Sequence, residues 1–71
     1  MIFDSKLKVC TIEVKTEQDA IYLKDYLPAF INTVVKYGYN KFDNNYFVWF
    51  GYEGYTQKQV KNAYKLVKGE M

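Results

Sequence analysis

The segment 39-YNKFDNNYFVWFGY-52 decides the fold, because aromatic and β-branched residues flank a cluster of turn-forming residues at its centre. Strand formers run from Tyr39 to Phe42 and again from Tyr46 to Tyr52. Asp43-Asn44-Asn45 between them tolerates left-handed backbone angles. The pattern predicts a β-hairpin. Seven of the fourteen residues in the segment are aromatic, and Tyr46-Phe-Val-Trp-Phe50 has no polar residue on either face. A strand of that kind belongs in the middle of a sheet. Strand alternation sends Val48 and Phe50 to one face and Phe47 and Trp49 to the other.

Upstream of the hairpin, Leu7 and Val9 alternate with Lys6 and Lys8, and Cys10, Ile12 and Val14 alternate with Thr11, Glu13 and Lys15. The phase slips between Val9 and Cys10, so a strand over residues 6–15 is expected to carry a β-bulge there. Thr16-Glu-Gln-Asp19 then reads as a variant capping box opening a helix at Glu17. Ala20, Leu23, Leu27, Phe30, Ile31 and Val34 keep one helical stripe through Pro28. The phase predicts one helix, kinked near Pro28 and capped by Gly38 after Tyr37, or two short helices with Pro28 opening the second.

Downstream, Gly51-Tyr-Glu-Gly54 ends the strand, and Thr56-Gln-Lys-Gln59 is a second capping box. Val60, Ala63, Tyr64 and Val67 form the inner stripe of a last helix that closes at Gly69.

The expected fold is therefore a two-layer α+β domain of order β-α-β-β-α. Its three-stranded antiparallel or mixed sheet, in strand order 2-3-1, carries two helices on one face, a truncated ferredoxin-like arrangement. Only Glu70 and Met71 follow Gly69, too few for a further strand. The outer edge of the first strand is then free to pair with another chain, and nothing covers the sheet face bearing Phe47 and Trp49.

A chain of 71 residues without a Pro/Ser/Gly-rich divider is read as a single domain, residues 1–71. A domain this small buries about 60% of its unfolded surface, which makes self-association as a homodimer a natural supplement to stability. Cys10 is the sole cysteine and histidine is absent, so disulfides, metal sites and cofactors are not expected. The missing histidine also removes the usual general base, and the scattered acids form no pair, so no enzyme is expected.

Residues 1–8 lack the apolar core of a signal peptide, and the longest uncharged run, Tyr26 to Val35, is too short for a bilayer. A soluble, cytoplasmic protein without membrane association is expected. All ten basic residues are lysine, against eight acids, for a net charge of +2. Lysine and asparagine without arginine is a habit of AT-rich genomes, which points to a low-GC bacterium or its phage and, for a phage protein, to the host cytoplasm.

Phe47 and Trp49 are the leading candidates for contact with a partner, with Tyr39 or Lys41 as neighbours depending on hairpin register. Lys58, Lys61, Lys65 and Lys68 share one face of the last helix and form a candidate basic surface. Tyr22, Tyr26 and Tyr37 read as boundary residues that extend the aromatic surface. Two functions follow. One is a non-catalytic protein-binding module, an inhibitor or adaptor of phage or mobile-element origin, acting through the aromatic face and a free strand edge on a protein partner or itself. The other is a single-stranded nucleic-acid binder that stacks bases on Phe47 and Trp49 and sets phosphates on the lysine row.

Overall fold

A computed structural model describes residues 1–69. Its elements in chain order are β1 (Ile2–Asp4), β2 (Val9–Val14), α1 (Glu17–Tyr26), a single 3₁₀ turn (Leu27–Ala29), β3 (Val35–Asn40), β4 (Asn45–Gly51) and α2 (Gln57–Gly69). The sheet is antiparallel throughout, in the order β1-β2-β4-β3. The fold is thus α+β with two helices, but the sheet has four strands where three were expected. The extra strand lies at the amino terminus and pairs with the edge of β2 that was expected to be free. It takes the place beside β2 that the last strand of a ferredoxin-like sheet would hold. The outer edges of the sheet therefore belong to the three-residue β1 and to the longer β3, and Glu70 and Met71 lie outside the described residues.

Both hairpins turn on the same device. In the first, Asp4 Oδ1 accepts the N–H groups of Lys6 and Leu7, each at 3.0 Å. In the second, Asn40 Oδ1 accepts those of Phe42 and Asp43 at 3.0 and 3.4 Å. Each loop ends on a left-handed residue, Lys8 at φ 55° and Asn44 at φ 57°. An acceptor side chain at the first position substitutes for a backbone turn partner, which is what Asx residues do well. Leu7 consequently sits in a turn, 74% exposed, and the apparent phase slip is the boundary between turn and strand rather than a bulge.

The long kinked helix is also corrected. Thr16 Oγ1 caps α1 by accepting the Asp19 N–H at 3.1 Å, but the helix ends at Tyr26 and Pro28 stands in the first turn of the 3₁₀ segment. Pro28 has no N–H to continue the ladder. The β-branched run Thr33-Val34-Val35 beyond it favours extended backbone. Leu27 and Ile31 stay buried, which is why the helical phase looked continuous, whereas Val34 is 74% exposed and Val35 and Tyr37 belong to β3. The first strand of the aromatic hairpin starts four residues before its expected start at Tyr39: β3 runs Val35–Asn40, and Phe42 lies in the turn rather than in a strand.

One core fills the space between sheet and helices. Cys10, Ile12, Val48, Phe50 and Val35 come from the sheet, Ala20 and Leu23 from α1, and Val60, Ala63 and Val67 from α2. The second capping box forms reciprocally: Thr56 Oγ1 accepts the Gln59 N–H at 3.1 Å while Gln59 Oε1 accepts the Thr56 N–H at 2.8 Å. Tyr52, fully buried, clamps the first hairpin. Its N–H donates to the Lys8 carbonyl at 2.7 Å, its hydroxyl to the Asp4 carbonyl at 3.3 Å, and its ring meets that of Phe3 edge-on at 5.4 Å. The Cα extents of 31 × 28 × 17 Å leave room in the short direction for one sheet and one helical layer.

Candidate functional site: the outer sheet face

Antiparallel partners share a face, so the register maps the side of the sheet opposite the helices row by row. Ile2, Thr11, Trp49 and Lys36 form one row across all strands. Glu13, Phe47 and Gly38 form the next. Asp4, Val9 and Gly51 lie on the other side of the Trp49 row. Val48 and Phe50, one residue out of phase, are buried under the helices.

Phe47 and Trp49, two apart on β4, stack with ring centroids 5.0 Å apart and planes inclined by 27°. Each is half-buried although no second layer covers them. They shield one another, and Phe47 gains further cover because its partner on β3 is Gly38: a Cβ there would meet the Phe47 Cζ at 2.9 Å. A glycine opposite an aromatic ring lets the ring lie over bare backbone, a packing device of sheets. Ile2, at 64% exposure, extends the apolar area from the Trp49 row. Charges stand at opposite corners of the aromatic pair, Glu13 beside Phe47 on β2 and Lys36 beside Trp49 on β3. Asn45 Nδ2 donates to Glu13 Oε2 at 3.4 Å and positions that carboxylate.

The two expected neighbours of this pair lie elsewhere. Tyr39 pairs with Tyr46 and points to the helical side, where their rings approach to 5.1 Å and the Tyr39 hydroxyl donates to Asn44 Oδ1. Lys41 is in the β3–β4 turn with its ammonium over the Phe42 ring at 5.8 Å. What the sequence reading missed is Ile2, Thr11 and Lys36. Lys36 and Ile2 were out of reach because residue 36 was assigned to a helix and the first five residues to no element.

The boundary tyrosines separate. Tyr22 and Tyr26 stack on α1 with centroids 4.4 Å apart. Tyr37 belongs to β3 and donates to Glu17 Oε2 at 3.4 Å, and desolvation followed by the Glu17 charge raises its pKa. None of the three lies in the rows that carry Phe47 and Trp49.

Lys58, Lys61, Lys65 and Lys68 are all exposed on α2, on the helical layer and so across the molecule from Trp49. Cys10 is fully buried on β2, and burial pushes its thiol up to about 11, partly opposed by the amino-terminal charge. No helix among the described residues is long and apolar enough to cross a membrane. Among the same residues no group of three or more His, Cys, Asp or Glu side chains is placed to hold a metal ion. Comparison of the chain with protein-family models, curated proteins and solved structures returned no match.

Proposed function

We propose that this domain is a non-catalytic protein-binding module, a small inhibitor or adaptor, whose contact surface is the outer sheet face centred on Phe47 and Trp49. The observation that carries the reading is the stacked pair itself: two large rings on a central strand, on the one broad face that has no covering layer. Aromatic side chains in that position supply the desolvated anchors that dominate protein interfaces. Glu13 and Lys36 at the rim would orient a partner by charge. The six-residue edge of β3, which carries a single lysine and no proline, offers backbone hydrogen bonds beside the same face.

The absence of catalysis is part of the proposal. It is supported by the lone thiol, which is enclosed in the core and held in its protonated form. Simultaneous use of Phe47, Trp49 and the lysine row by one nucleic-acid strand is disfavoured by the layer of sheet and helix that separates them.

Affinity capture from a nuclease-treated lysate tests the reading. A protein held by the wild-type domain and lost from the Phe47→Ala/Trp49→Ala variant supports it. Capture of the same proteins in the same yield by both contradicts it.

A further inference from the structure

A second surface stands apart from the aromatic face. Lys58, Lys61, Lys65 and Lys68 follow one another at spacings of three, four and three residues, which places them along one side of α2 over about 15 Å of helix axis. Val60, Ala63 and Val67 are buried on the other side, so the lysines form the outward face of a helix anchored in the core. No carboxylate among the described residues lies within ion-pair distance of any of them, and α2 contains no acid.

Two of the four are held by rings instead. Lys61 Nζ lies 5.7 Å from the centroid of Phe3, and Lys68 Nζ 5.6 Å from that of Tyr64. Phe3 meets Tyr52 edge-on, and Lys8 Nζ lies 5.7 Å from the Tyr52 centroid. The alternating chain Lys61, Phe3, Tyr52, Lys8 continues the positive surface from α2 onto the first hairpin turn. Cation–π contacts orient an ammonium group without neutralising it.

We infer that this face binds the phosphate backbone of a nucleic acid, without reading its sequence. Two features bear on the occupant, one separating phosphate from an acidic protein segment and one separating backbone binding from base readout. Leu66, the exposed large apolar side chain of α2 at 58%, lies about 120° around the helix from the centre of the row, and a protein interface draws its energy from clustered apolar anchors, whereas backbone binding needs only positive charge. The rings beneath the lysines are packed edge-on or under the ammonium groups, so they offer no stacking platform for bases. The inference does not depend on the protein-binding reading, since it uses a different layer of the molecule.

The test is fluorescence anisotropy with a labelled mixed-sequence DNA duplex of about 20 base pairs, at 50 and 200 mM salt. Wild type is expected to bind at the lower salt and to lose affinity on the order of a hundredfold at the higher, the dependence for about four phosphate contacts. Lys61→Gln/Lys65→Gln, exposed positions whose folding is checked by circular dichroism, should bind at least tenfold more weakly and with a salt slope shallower by about two. Trp49→Ala should bind as wild type does. The inference is overturned by no binding at 50 mM salt, by a double lysine variant that binds as wild type, or by loss of binding in Trp49→Ala. Displacement of the duplex by polyglutamate as readily as by unlabelled duplex, at equal charge concentration, would overturn it in favour of an acidic protein segment.

Discussion

Phe47 occupies the space where a side chain on Gly38 would begin: a Cβ at position 38 would stand 2.9 Å from the Phe47 Cζ. The two residues are direct partners in the β3–β4 register. Gly38→Ala therefore has to displace the ring tip, and the ring is free to move outward because no second layer lies above it. The expected cost in stability is small, within about 1 kcal/mol, since alanine also recovers the strand propensity that glycine forfeits. The change should be visible at Trp49, which stacks on Phe47 and is the sole tryptophan. A shift in Trp emission with little change in denaturation midpoint is the expected result.

Tyr52 should matter far more than its position after a strand end suggests. It is buried, it edges Phe3, and it donates two hydrogen bonds into the first hairpin. Tyr52→Ala removes an aromatic residue from the core at a cost of about 3–5 kcal/mol. One core of this size rarely supplies more than that in total. Urea denaturation should find Tyr52→Ala largely unfolded without denaturant, and Tyr52→Phe destabilised by about 1 kcal/mol through loss of one hydroxyl bond.

The shared hairpin device predicts parallel mutants. Asp4→Ala and Asn40→Ala each remove an acceptor that serves two backbone N–H groups, and each should cost about 1–2 kcal/mol in chemical denaturation. Asp4→Asn retains the acceptor and should recover most of the loss.

Alkaline stability should depend on Cys10. Its thiol is raised from 9.0 to about 11 in the folded chain by burial. Below about pH 9 both folded and unfolded chains keep the proton and the thiol adds no pH dependence. Between there and about 11 the unfolded chain releases it first, so stability falls as pH rises, by roughly 3 kcal/mol at most across the interval. Cys10→Ala should show a flatter decline over that range, although it starts lower because a buried side chain has been cut back.

Much of this arrangement was legible in the sequence, for reasons that differ by element. The central strand was legible because Tyr46 to Phe50 has no polar side chain, and its facing was legible because strand alternation is strict. Both capping boxes were legible from local spacing alone. The first strand was not, since three residues give no periodicity, and its turn uses Lys8 rather than glycine or asparagine in the left-handed position. The end of α1 was masked because Leu27, Ile31 and Val35 are all buried at helical spacing although they lie in a 3₁₀ turn, a loop and a strand. That assignment hid Lys36 and the free edge of β3, and it gave Tyr39 and Lys41 a place beside the Phe47–Trp49 pair, where the register sets Gly38 opposite Phe47 and Lys36 opposite Trp49.

The claim that the outer sheet face is the contact surface is tested most directly by the dissociation constant of the captured partner, or of the self-associated pair, measured for three proteins. Wild type and Lys61→Gln/Lys65→Gln should agree within about threefold. Phe47→Ala/Trp49→Ala should be weaker by about thirtyfold or more, corresponding to the loss of about 2 kcal/mol at an aromatic hot spot. Equal affinity for wild type and the aromatic double variant, with the latter shown to be folded, would contradict the account.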